Sequence, residues 1–185
     1  MDQMLEVFLT KQRESAAQIS AAGDLIAIGW QTPQHAIVEL HCTGLIRTSD
    51  GRIVEHSHFA YGIFFSEHHL RYVEDTSAIT LLAPLNLWHT NAGAVPGMPA
   101  GAVCVGPIAA GTELDELVWR LFDLTVFQNV AVSEDDSLNP ACSAWARARM
   151  DLFPVEPRNA FWRAGDPVPQ SRIAAAGGDW GRADA

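Results

Sequence analysis

The chain has 185 residues, 48% hydrophobic and 18% charged, enough for one globular domain with a substantial core. Its formal net charge of -10 argues against nucleic acid or an anionic membrane as a primary partner. No apolar run is long enough to span a bilayer, and the start, Met1-Asp2-Gln3-Met4, is acidic where a signal peptide is basic, so a cytoplasmic protein is expected.

Residues 1–22 carry apolar positions at Met4, Leu5, Phe8, Leu9, Ala16, Ala17 and Ile19, a helical stripe that Gly23 ends. Over residues 34–47, His35, Ile37, Glu39 and His41 alternate with Ala36, Val38, Leu40 and Cys42, as in a half-buried strand. Thr48-Ser49-Asp50-Gly51 is a hairpin turn, because Asp-Gly tolerates positive φ. A second strand over 52–65 and a third apolar stretch over 78–88 complete an antiparallel meander. Residues 92–101 are Gly, Pro and Ala punctuation, hence loop. Cys104 follows in a short apolar segment closed by Gly106-Pro107.

Thr112 is the expected N-cap of the next helix, paired with Asp115, and Glu113 and Glu116 suit its positive end. Leu114, Leu117, Val118, Leu121 and Phe122 form the buried stripe, and the helix ends near Phe127 or Gln128. An acidic loop, 129–138, leads to a second helix with Asn139 as cap and Pro140 in its first turn. Ala141, Cys142, Trp145 and Arg149 follow at helical spacing. The layout is α+β: an N-terminal helix, an antiparallel meander sheet, an active-site loop, then two or more C-terminal helices. The expected domain is 1–156. Residues 157–185, with Pro157, Pro167, Pro169 and Ala174-Ala175-Ala176-Gly177-Gly178, read as an extension that is partly disordered; Trp162 and Trp180 are only a weak sign of docking there.

The cysteines Cys42, Cys104 and Cys142 form no CxxC pair, and their odd number argues against a disulfide framework. Lys11 is the only lysine among twelve Lys and Arg residues. Codon usage in a GC-rich, bacterial genome accounts for that, and avoidance of self-acylation by a reactive carrier is compatible with it. Cys42 and Cys142 read as small buried hydrophobes. His56-Ser57-His58 puts two imidazoles on one strand face, as a metal pair needs. No carboxylate or cysteine completes the set there, so these histidines, like His68-His69 in a presumed loop, read as solvent-facing.

Four landmarks in order resemble the ubiquitin-conjugating enzyme family over residues 34–149. His89-Thr90-Asn91 looks like its His-Pro-Asn motif, and Ala102-Val103-Cys104-Val105 like its catalytic cysteine segment. Residues 112–127 look like the helix after the cysteine, and Asp135-Asp136-Ser137-Leu138-Asn139 like its acidic loop, before a helix carrying Trp145. Thr90 replaces the motif proline, the stretch from Asn91 to Cys104 is longer than usual, and Ser66 to Asp75 stands where the family has a Tyr-Pro segment. These departures fit a divergent, bacterial-type member.

The resemblance implies a transferase. Cys104 accepts a ubiquitin-like protein as a thioester from an activating enzyme and passes it to an amine of a target protein. It implies that Asn91 donates to the oxyanion formed in that attack, an interaction typically worth about 3 kcal/mol, or else braces the loop. Asp136 is the implied orienter and proton acceptor of the amine, and His89 is implied to be structural. The N-terminal helix would help bind the activating enzyme, with no metal and no organic cofactor. For a bacterial source, an operon-encoded conjugation system in antiviral defence is the expected setting. Two other readings remain open: a catalytically inactive adaptor of the same fold, and a cysteine hydrolase. The hydrolase needs a base in contact with Cys104, and Val103 and Val105 supply no activating charge.

Overall fold

Asp2 opens the first helix, α1 (Gln3–Ala21), by accepting the Met4 N–H on its carboxylate at 3.0 Å. Leu5, Leu9, Gln12 and Ala16 fall on one stripe of α1 and are buried. The computed structural model describes residues 2–74, 76–93, 100–130, 137–156 and 158. Within them the fold is α+β, an N-terminal helix, an antiparallel sheet and two further helices. No helix of the described residues is long and apolar enough to cross a membrane.

The first strand, β1 (Ile26–Thr32), precedes the strands expected from alternation and has no such pattern of its own. Its Ile-Ala-Ile-Gly-Trp run lacks a polar period, and Gly29 weakens it locally. Pairing with β2 (His35–Leu40) supplies what local preference does not.

The two long strands expected over 34–47 and 52–65 are each broken in two. β2 continues after an interruption as β3 (Gly44–Arg47), and β4 (Ile53–His56) precedes β5 (Phe59–Phe64). β2 pairs with β5 in one sheet, and β3 with β4 in another. The cause lies far along the chain. Glu156 Oε2 accepts the Thr43 N–H at 2.7 Å, and Arg158 donates to the His41 carbonyl at 3.0 Å. Side chains from the end of the described chain thus replace ladder bonds where the hairpin changes sheets.

The third stretch is strand only over β6 (Ile79–Ala83), because Pro84 follows. Beyond it Leu87 bridges Ile46, and the Trp88 N–H donates to the Leu45 carbonyl at 2.8 Å, so residues 86–88 lie along β3. Two short strands, β7 (Ala92–Gly93) and β8 (Ala102–Val103), complete a six-stranded sheet in the order β1-β2-β5-β6-β8-β7. Gly101, at φ 83°, makes the β6–β8 approach possible: a Cβ there would stand 2.3 Å from the Leu81 carbonyl oxygen.

Helix α2 (Leu114–Thr125) buries Leu114, Leu117, Val118, Leu121 and Phe122. Its capping differs from the expectation. Glu113, not Thr112, is the N-cap, and its side chain bonds no backbone N–H. Among the described residues Asp115 accepts only from the neighbouring Glu116 N–H, so the expected pair with Thr112 does not form. The Thr112 hydroxyl donates instead to the Ala109 carbonyl, while Gln12 of α1 accepts the buried Leu114 N–H at 2.8 Å. α2 is thus capped from another helix. The third helix, α3 (Pro140–Arg147), starts as its sequence suggests, with Asn139 accepting the Cys142 N–H at 3.1 Å.

Candidate active site

The site begins with a tight turn. His89 and Thr90 are fully buried, and His89 bridges back to Ala92. The His89 Nδ1 accepts the Asn91 N–H at 3.0 Å. Burial pushes its pKa down to about 3; the Asn129 backbone opposes this in part, without a hydrogen bond of good geometry to Nε2. The ring is therefore neutral and packs 4.5 Å, edge to face, against Phe127. It braces the turn through these two contacts.

β7 and β8 pair as Ala92 with Val103 and Gly93 with Ala102. One step further in that register, Asn91 stands opposite Cys104. The Cys104 N–H donates to the Asn91 carbonyl at 2.8 Å. A regular ladder would return a bond from the Asn91 N–H, but that N–H is turned to His89, so pairing stops there. Side chains directly opposed on an antiparallel pair share one face, typically about 5 Å apart at Cβ. Asn91 and Cys104 are brought together in this sense, from thirteen positions apart. The Asn91 Oδ1 receives a long 3.5 Å contact from the Thr90 hydroxyl. Cys104 is partly exposed, while Val103 before it is buried.

The segment after the acidic loop closes on the same turn. The Thr90 carbonyl accepts from the Asn139 N–H at 3.0 Å and from the Ser137 hydroxyl at 2.8 Å. Gly93 is needed here as well, because a Cβ would meet the Leu138 carbonyl oxygen at 3.0 Å. Asp136, the candidate amine orienter, lies outside the described residues, as do the rest of 131–136 and residues 94–99.

A cluster of Leu45, Ile53, Trp88, Phe127, Cys142, Trp145, Ala146 and Val155 underlies the turn. Phe127 sits one residue past the α2 C-cap with φ 61°, where glycine is the usual residue. Its ring accounts for the exception, stacking at 4.6 Å on Phe153 and meeting Trp145 edge to face. In the sequence Phe127 is marked only as a helix end. The signal that was available is a bulky residue where a glycine would ordinarily stop the helix.

Cys42 and Cys142 are fully buried, and burial pushes both thiols up, Cys42 to about 12. Their reading as small hydrophobes fits this. One histidine expectation needs correction: His69 is buried, not solvent-facing, and its Nε2–H donates to the Thr112 carbonyl at 2.9 Å. His58 is exposed, as expected, but it faces His41 and Glu39, and these three are the only set of donors that could hold a metal among the described residues.

No protein-family model matches the chain, and neither does any curated protein or solved structure.

Proposed function

We propose that the chain is a conjugating enzyme of a ubiquitin-like pathway, with Cys104 as the acyl carrier. The observation that carries this reading is the 2.8 Å backbone bond from Cys104 to Asn91 at the end of a two-residue strand pair. It sets a partly exposed thiol opposite a side-chain amide on a braced turn. The chemistry runs in two exchanges. The Cys104 thiolate attacks the carbonyl carbon of a donor thioester, a new C–S bond forms, and the donor thiol leaves. A target amine then attacks the same carbon, the C–N bond forms, the C–S bond breaks and Cys104 departs as thiolate. The amine proton passes to a base, for which Asp136 is the candidate.

The Asn91 amide is the donor for the oxyanion in the second step, worth about 3 kcal/mol by analogy with other such donors. The modifier comes from an activating enzyme, and the receiving surface includes α1. There Met4 and Val7, one turn apart, are 70% and 67% exposed. An antiviral conjugation system remains the proposed setting.

The hydrolase reading is weaker on a specific ground. His89, the histidine nearest in this turn, has Nδ1 committed to the Asn91 N–H and is too hard to protonate to act as a base near neutrality. The test is discharge of the charged enzyme. With a modifier and activating enzyme from the same genome, wild type should form a thiol-reducible adduct that Cys104→Ala lacks. Asn91→Ala should still load but transfer to amine about a hundredfold more slowly. Loading at a different cysteine would refute the assignment of Cys104, and no loading with a proven activating enzyme would refute the reading and favour the adaptor.

A further inference from the structure

The break between the two sheets places three metal-ligating side chains on one face. Glu39 and His41 are two residues apart in and just beyond β2, so they project the same way. β2 pairs with β5 as Glu39 with Ala60 and Leu40 with Phe59, which sets His58 opposite His41 one step on. The two imidazoles stack with centroids 4.9 Å apart and 14° between planes. Glu39 Oε2 stands 3.9 Å from His41 Nε2 and 3.5 Å from His58 Nε2, and all three donor atoms lie within 4.8 Å of one another.

We infer that Glu39, His41 and His58 form a binding site for a zinc-class divalent metal ion. Donors about 2.0–2.1 Å from a tetrahedral metal stand roughly 3.3–3.4 Å apart, so small side-chain rotations bring these three into a coordination sphere. Two imidazoles and one carboxylate suit zinc, and copper and nickel bind such a set as well. The fourth position faces solvent, since each side chain is about half exposed.

The backbone beneath is fixed. Leu40 and Phe59, flanking the ligands, are fully buried. The His41 N–H donates to the Leu25 carbonyl at 2.7 Å, and its own carbonyl accepts from Arg158. Pinned strands reduce the ordering cost that an exposed three-ligand site otherwise bears. A bound ion would cross-link β2 and β5 where the hairpin leaves the main sheet.

The experiment is a Zn2+ titration of chelator-stripped protein against a chromogenic competitor, carried out in a Cys104→Ala background to remove the accessible thiol. One ion per chain is expected. His41→Ala and His58→Ala should each weaken binding by at least about tenfold. His35→Ala, on the same strand but outside the set, should leave it unchanged. Co2+ loading gives a second readout, because four-coordinate Co2+ shows strong visible bands that should vanish in His58→Ala. Folding of each variant is checked by circular dichroism. No binding by the intact set, or binding that survives loss of His58, overturns the site.

Discussion

The core between the sheet and helices α1 and α2 is mainly aliphatic, drawn from regular stripes such as Leu5-Leu9, Val38-Leu40 and Leu117-Leu121. The cluster beneath His89-Thr90-Asn91 is mixed, with three aromatic rings among its eight residues, and is gathered from β3, β4, Trp88, Phe127, α3 and Val155. The first region follows from repeated local patterns and holds the sheet against the helices. The second is assembled from isolated residues and braces His89 at one side of the candidate site, whereas Ala92 and Val103, next to Asn91 and Cys104, belong to the first. Bracing the His89 turn is therefore a task separate from folding the main core, and the two should fail separately.

The sharpest way to break that division is Phe127. Phe127→Ala should cost about 3–5 kcal/mol in chemical unfolding. In amide exchange, its effect should be far larger over 137–156 than in β2 and β5. Phe127→Gly should be the milder change although it removes one more carbon, because glycine relieves the positive φ. Uniform loosening of both regions would contradict the division.

Gln12 probes the other region. Gln12→Ala leaves the buried Leu114 N–H without its acceptor and should cost about 1–3 kcal/mol. The near-ultraviolet dichroism of Trp88 and Trp145 should not change. A third effect is set by pH. The His89 pKa lies below its ordinary value of 6.5, at about 3. Its contribution is full above pH 6.5 and is lost as pH falls toward 3, because only the unfolded chain takes up the proton there. The slope is at most about 1.4 kcal/mol per pH unit. In denaturant titrations between pH 6.5 and 4.5, His89→Gln should flatten it. The smallest effect is expected at the exposed Lys11–Glu113 pair, 2.6 Å apart. Lys11→Met should leave the denaturation midpoint unchanged within experimental error, because solvent screens an exposed pair.

What the sequence made legible follows the same boundary. Alternation over 34–47 marked the strand residues, Asp50-Gly51 marked the hairpin, and Asn139-Pro140 marked the start of α3. The breaks at 41–43 and 57–58 were not legible, because the bonds that replace the ladder come from Glu156 and Arg158. Nor was the capping of α2, since Gln12 is 102 residues from Leu114. At the site, His89-Thr90-Asn91 and Cys104 could be picked out as a spaced pair. That they meet through β7 and β8 depends on two-residue strands too short to leave a period. The metal-ligating set was hidden for a similar reason: Glu39 and His41 sit on one strand and His58 on another, and only the register joins them.

The central claim is that Cys104 carries an acyl group destined for an amine. Its most direct test is a trap. Tagged Cys104→Lys, expressed in the native host and purified, should show an intact-mass gain equal to a small ubiquitin-like protein held as a stable amide. Cys104→Ala should show none. A folded Cys104→Lys protein without added mass, in cells shown to contain the activating enzyme, would contradict the account.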